Sequence, residues 1–398
     1  MCNNRCVFCV SGQRTDRGEA KPMAPSPLLE RIEEAARAGH KKITLLGGEP
    51  TLQPAFLDVV RRCGELGFDE VVVFTNGVRT AREEVIDATR EALGPNAKLI
   101  WRISIQGATE ASHVRTTRRP NSFKRILRTL DHLKDRGEDI TINMCVVRSN
   151  HADLEHFAEL LLPYGARQLH LDMVRPLDAG DRTEAEMEAM LVRYSDLAGP
   201  MRKMAAAFEA RAPGFDLNIG NLPYCIAPDL IRWIHHDGEH TETVAIDHDD
   251  QLSEPWDKYE VKRRDKVKAP GCAECVMDGE CNGVFETYAR FHGLDELNPL
   301  HADDVPPDRI PLAPTVAARL DRLRRAAPFG QLEWVETRLV GDGVEIALEG
   351  PDAERAVFYF DENAGRPSGG YRVEGDPTDA LREGVRKAMV ALKRLPLA

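Results

Sequence analysis

The sequence predicts an α/β chain: a partial (β/α)6-type barrel over 1–214, a small cysteine-bearing domain over 215–300, a Pro-rich linker at 301–314 and an α+β domain over 315–398. Strand and helix patterns alternate through the first half of the chain, as they do when a parallel sheet is wrapped by helices. Along the strands, polar and apolar residues alternate with one phase. Seven of the nine cysteines fall into two separated groups.

The barrel elements follow in order. A helical pattern at 28–38 precedes a strand at 43–46, then helix 54–66, strand 71–75, helix 82–92, strand 99–105, helix 123–136, strand 140–147, helix 154–162, strand 168–173 and a long helix within 185–212. Parity sorts the strand residues. Arg102, Ser104 and Gln106 share one face, Asn143 shares a face with Cys145, and His170 with Asp172. The alternate positions are Ile103, Ile105, Ile142, Met144, Leu169, Leu171 and Met173. A face covered by helices must be apolar, so the polar file is expected to line the inside of the barrel. His170 and Asp172 are the candidate catalytic pair there, handling a proton or orienting substrate; mutual hydrogen bonding is the simpler role for the same pair.

With 398 residues, 42% hydrophobic and 30% charged, the chain has the composition of an ordinary globular protein. A formal net charge of −12 disfavours non-specific nucleic-acid binding. No apolar run approaches the ~20 residues of a membrane helix. No apolar leader precedes Cys2, so the reducing cytoplasm is expected, where cysteines serve metals more than disulfides.

Cys2, Cys6 and Cys9 form a Cys-x3-Cys-x2-Cys loop. On spacing alone it fits half of a zinc knuckle as well as a cluster that leaves one iron open. Cys63, in a helical pattern, and Cys145, in a strand, are expected in the core. After strand 43–46 comes Gly47-Gly48-Glu49-Pro50. The cysteine spacing, with Phe8 before the third cysteine and this turn one strand later, resembles the radical SAM enzyme superfamily. The resemblance implies a [4Fe–4S] cluster on the three cysteines, S-adenosylmethionine on its open iron, and reductive cleavage to a 5′-deoxyadenosyl radical, with flavodoxin or ferredoxin as electron donor. It also implies that Thr75, Asn76, Ser104, Gln106 and Asn143 help line the cofactor pocket; many peptide-modifying relatives carry aspartate where Gln106 stands. The superfamily usually has a strand before its cysteine loop, so the expectation is a chain that continues upstream or a barrel short of that strand.

Cys272-x2-Cys275-x5-Cys281-x-Gly283, with Cys225 upstream, resembles the auxiliary-cluster extension called SPASM or, when short, twitch. Four thiols suffice for one auxiliary [4Fe–4S] cluster, and a four-cysteine zinc site fits the count equally. His235, His236, His240 and His248 between them read as a solvated hairpin. Beyond the linker, a helix near 316–325, strands at 333–340, 344–348 and 356–360, a turn at 341–343 and a helix at 380–392 are expected. The substrate implied is a peptide or protein side chain, or a small molecule. A metal-binding scaffold without catalysis is the alternative from another class.

Overall fold

The computed structural model describes residues 1–180, 182–238, 240–245, 251–301, 304–306, 309, 316, 319–320, 323, 326–340, 343–363 and 366–393. The chain divides into two compact units, Met1–Ala269 with Asn282–Glu296, and Pro270–Cys281 with Leu297–Ala398.

The first unit is built on a curled half-barrel of seven strands: β1 (Lys42–Leu45), β2 (Glu70–Thr75), β3 (Lys98–Ser104), β4 (Asp139–Val146), β5 (Gln168–Met173), β6 (Asp216–Gly220) and β7 (Ile234–His235). They pair in chain order and every pair is parallel. The expected apolar file is the helix-covered face: Ile103, Ile105, Ile142, Met144, Leu169 and Leu171 are all 0% exposed. Each such side chain contributes ~1.5–3 kcal/mol over an exposed one. Ser122–Asp135 shows the matching helical stripe, burying Phe123, Ile126, Leu130 and Leu133.

β6 pairs with β5 and β7 with β6, so the sheet runs past the barrel boundary expected at 214. The long helix expected within 185–212 is two helices, Glu184–Met190 and Tyr194–Arg211. A fresh start at Tyr194 is stabilised because Glu296 and the Tyr288 hydroxyl accept its N–H, and Glu296 also accepts from Ser195 N. Two short helices escaped the periodicity argument, Val10–Asp16 and Glu110–Thr117.

In the second unit, strands Glu333–Val340, Gly343–Glu349, Arg355–Asn363 and Arg366–Glu374 form an antiparallel sheet, the last of them unforeseen. Helix Asp379–Lys393 lays Leu381, Val385 and Ala388 into a core with Ile346, Leu348 and Phe358. Most of the linker, most of the helix near 316–325, residues 341–342 and His248 lie outside the described residues. Among the described residues, no helix is long and apolar enough to cross a membrane.

Candidate active site

The cysteine loop is pinned to the end of helix Glu110–Thr117. Arg5 N and Val7 N donate to the carbonyls of Thr117 and Thr116 at 2.9 and 3.0 Å, filling two of the acceptors a helix end leaves open. That helix is itself fixed at its start by a Thr109–Ser112 capping box, with Asp153 accepting from both hydroxyls. Within the loop, Cys9 N donates to Cys6 O at 3.2 Å, Asn4 N to Cys2 Sγ at 3.5 Å, and Cys2 N to Thr15 Oγ1 at 3.0 Å.

The three thiols of the loop are half-buried and electrostatically coupled. Burial pushes the Cys2 and Cys6 thiols up, and the neighbouring thiols push in the same direction. A thiolate set of this kind requires a bound cation to hold it. Among the described residues, no three His, Cys, Asp or Glu converge on a single ion. Three soft thiol donors on one loop suit a cluster that leaves one iron open, whereas a structural zinc wants a fourth protein ligand. Phe8 is half-buried within the loop.

Glu49 ties this loop to the sheet. Gly47 takes a positive φ of 145°, turning the chain out of β1. Glu49 is 2% exposed, and its carboxylate accepts from Thr51 N (3.2 Å), Thr51 Oγ1 (2.6 Å), Thr75 Oγ1 (2.6 Å) and Asn76 N (2.8 Å). Oε2 receives only the last of these, leaving it capacity for one more donor. Burial raises this carboxyl above its ordinary range, and the four donors pull against that rise. Asn76 Nδ2 then reaches the loop, donating to Asn3 Oδ1 at 2.7 Å and lying 3.8 Å from Cys2 Sγ. The structure therefore brings Cys2, Gly48, Glu49, Pro50, Thr75 and Asn76 together. A Cβ on Gly48 would stand 2.2 Å from Met1 O, so only glycine fits there.

Ser104, Asn143 and His170 are register neighbours and form one half-buried row on the inner face. Gln106 is held by the backbone and side chains around it. It is 4% exposed, and its Oε1 accepts Cys145 N at 2.9 Å, serving as the ladder partner that β3 no longer supplies. Its own N–H donates to His113 Nδ1 at 3.1 Å and its carbonyl accepts from Asn150 Nδ2 at 3.1 Å. Cys63 is buried, as expected, whereas Cys145 is half-buried on the inner file, because it shares parity with Asn143.

His170 Nε2 lies 3.0 Å from Asp172 Oδ2. Asp172 Oδ1 accepts from Asn221 Nδ2 at 3.0 Å and stands 3.6 Å from Lys262 Nζ. Burial alone would raise the Asp172 carboxyl; His170 and the Lys262 and Lys258 ammonium groups outweigh it and hold Asp172 well below the ordinary carboxylate range. The expected solvated histidine hairpin is not found. His235 sits on β7 with its ring 5.1 Å from that of His170, and burial first, then His170, lowers it to about 4. His236 is 3% exposed against Tyr224. Of the three described histidines, His240, bonded to Asp257, is on the surface.

Cys225 lies in the first unit on the turn Tyr224–Ile226, while Cys272, Cys275 and Cys281 lie in the second. There, Cys275 N donates to Cys272 O at 3.0 Å, Cys281 N to Met277 O at 2.8 Å, and Leu300 N to Cys275 Sγ at 3.3 Å. Sequence reasoning missed His113, Asn150, Asn221, Lys258 and Lys262. Only Asn221 carried a local signal, the Asn-Leu-Pro break after β6.

Residues 1–161 match the model of the radical SAM superfamily. That match spans the cysteine loop, the Gly-Gly-Glu-Pro turn and strands β1 to β4. It is similar to the GTP 3',8-cyclase of Synechocystis sp., 29% identical over 148 residues that cover 37% of this chain and 43% of the relative. It is also similar to the AdoMet-dependent heme synthase of Methanosarcina barkeri (27%, covering 46% and 50%) and the PqqA peptide cyclase of Ruegeria pomeroyi (28%, covering 54% of each). The chain thus spans about half the length of those curated relatives. Its fold resembles that of Streptococcus suis SuiB bound to S-adenosylmethionine, with a TM-score of 0.51 at 14% identity over 75% of this chain and 74% of that one.

Proposed function

We propose that the chain is a radical SAM enzyme whose Cys2, Cys6 and Cys9 hold a [4Fe–4S] cluster and whose barrel interior presents a peptide or protein side chain for hydrogen abstraction. The cluster, when bound and reduced by a donor such as flavodoxin or ferredoxin, supplies the electron that cleaves S-adenosylmethionine to a 5′-deoxyadenosyl radical. The observation that carries the proposal is the single hydrogen-bonded group formed by Glu49, Thr75, Asn76, Asn3 and the Cys2 loop. In it, Glu49 Oε2 accepts from a cofactor ammonium, Asn76 fixes the loop against the sheet, and Ser104 and Asn143 offer polar contacts on the adjoining row. His170 and Asp172 orient substrate or hold its proton.

Support for a peptide comes from the match to the PqqA peptide cyclase; a GTP 3',8-cyclase matches over an equal 54% of this chain and supports a small molecule as the second reading. Cys272, Cys275 and Cys281, all in the second unit, hold an auxiliary [4Fe–4S] cluster of SPASM or twitch type; the N–H that Leu300 donates to Cys275 Sγ suits a ligating thiolate.

Anaerobically reconstituted protein with dithionite should release 5′-deoxyadenosine, and a Cys2/Cys6/Cys9→Ala variant none. Iron content should fall from about 8 to about 4 atoms per chain in that variant, as two cubanes require. A cluster-loaded chain that releases none, with or without candidate peptides, is a metal-binding scaffold instead. Stoichiometric zinc beside one cubane would remove the auxiliary cluster.

A further inference from the structure

We infer that the barrel interior carries a binding site for an anionic group of the substrate, formed by Arg102, Lys258 and Lys262 beside the lone carboxylate of Asp172. The inference rests on reading the interior as the substrate chamber and adds the chemical class of what enters it. Lys258 and Lys262 stand one turn apart on helix Lys258–Arg264, which puts both ammonium groups on one side. Asp257 caps that helix, accepting from Tyr259 N at 2.7 Å and Glu260 N at 2.9 Å, and also binds His240, so its charge is already engaged.

The cations outnumber their partners. Asp172 Oδ2 faces His170, and Oδ1 is shared between Asn221 and Lys262. Lys258 lies 4.9 Å from the centre of its neighbour's ring, Tyr259, and within electrostatic reach of Lys262, Asp172 and Arg102, with no ion-pair partner among the described residues. Arg102 has a buried Nε without an acceptor and its guanidinium 5.9 Å from the Phe74 ring. The other carboxylates nearby are taken: Asp265 and Asp178 pair with Arg175, Asp237 with Arg263, and Asp139 with Arg167 and Lys98. Lys266 is turned to Asn221 Oδ1 at 2.6 Å. The patch is left with three cations against one carboxylate, and His235 adds no negative charge.

Half-buried cations without counter-ions are costly in a protein interior, and a ligand oxyanion relieves them. An Arg fork beside two Lys point charges suits a carboxylate or a phosphate. Burial first, and the neighbouring cations after it, push the Lys258 ammonium down from its usual range, the direction an unneutralised cluster dictates. Room is kept at Gly220, where a Cβ would stand 2.5 Å from Asp172 Oδ1 and 3.4 Å from His235 Nε2.

The test is calorimetric titration of the full, cluster-reconstituted chain at low salt with two probes, inorganic pyrophosphate and N-acetyl-Glu-Glu-amide. Saturable binding of either is expected, weakened roughly tenfold or more in Lys258→Gln/Lys262→Gln and by added salt. Arg102→Lys keeps the charge and loses the fork, so it should weaken binding less. Lys124→Gln, at an exposed lysine facing Glu110, should bind like the wild type. Preference for pyrophosphate marks a phosphorylated ligand, and preference for the dipeptide an acidic peptide. Iron content checks that each variant is folded, and the two single Lys→Gln variants replace the double one if it is not. No saturable binding to the wild type, or equal binding by the Lys variants, overturns the inference. Wild type that cleaves S-adenosylmethionine without binding either probe refutes the anion site alone; wild type that binds both probes yet releases no 5′-deoxyadenosine refutes the radical reading alone.

Discussion

Acidification should loosen the seat of the cysteine loop through His113. This residue is 0% exposed, and its Nδ1 accepts from Gln106 N at 3.1 Å, which requires Nδ1 to be unprotonated and leaves the proton on Nε2. Burial lowers the imidazole to about 4. Since the unfolded chain binds this proton near 6.5, stability is intact above that pH and is lost as pH falls from about 6.5 toward 4. The loss is about 2 kcal/mol at pH 5 and approaches about 3.4 kcal/mol below pH 4, at 1.36 kcal/mol per unit. His235 and His236 are also held low, at about 4 and about 3, and add in the same direction, so the informative quantity is a difference between variants. His113→Asn keeps an acceptor near Nδ1 but does not titrate. Urea unfolding at pH 7 and pH 5 should show about 2 kcal/mol less pH dependence in His113→Asn than in the wild type. Asp172, held far below this window, does not contribute to it. Equal pH dependence in the two proteins would show that His113 is protonated in the fold and that the argument from burial is mistaken.

Three further outcomes are expected. Glu49→Gln replaces one acceptor oxygen by a donor facing Asn76 N or the two threonines, so release of 5′-deoxyadenosine should fall at least about tenfold while the loop cysteines retain iron; unaltered release would remove Glu49 from the cofactor site. Gln106→Leu leaves Cys145 N without its partner and should lower thermal or urea stability by about 1–3 kcal/mol; an effect within a few tenths would mean that water takes over. Asp172→Asn removes the one anion among His170, Lys262 and Lys258, so substrate turnover should drop with iron content kept, and unchanged turnover would reduce the pair to a structural contact.

Much of the barrel was legible because parallel strands under helices impose a parity that single residues reveal. Ile103, Ile142 and Leu169 on one side and Ser104, Asn143 and His170 on the other need no alignment to be sorted. The cysteine loop and the Gly-Gly-Glu-Pro turn were legible as spaced motifs. Helix Glu110–Thr117 was not, since its four buried positions, Ser112, His113, Thr116 and Thr117, are polar in place of an apolar stripe. β7 is two residues long, too short for periodicity, and its pairing with β6 is a tertiary fact that turns His235 inward. Lys258 and Lys262 read as surface lysines in a charged stretch; only the fold shows them against Asp172, far upstream in sequence. Long-range electrostatic partners leave no local pattern to read.

These hidden residues join the two halves of the site. Cys145 is in register with Asp172, so the two lie about one strand spacing, ~4.8 Å, apart on the inner file. Burial raises the Cys145 thiol above all, and the charges of Asp172, Cys6 and Cys9 act on it as well. The Cys145 thiol thus lies within electrostatic reach of both the cysteine loop and the Asp172 carboxylate. On the proposed reading, an anion held by Arg102, Lys258 and Lys262 enters the inner face on which Cys145 and Asp172 stand in register. Hydrogen abstraction demands proximity, because reacting atoms must stand within about 3–3.5 Å before the step is fast. If the proposed reading holds, the Ser104–Asn143–His170 row and Cys145 lie on the inner face that substrate must share with the radical.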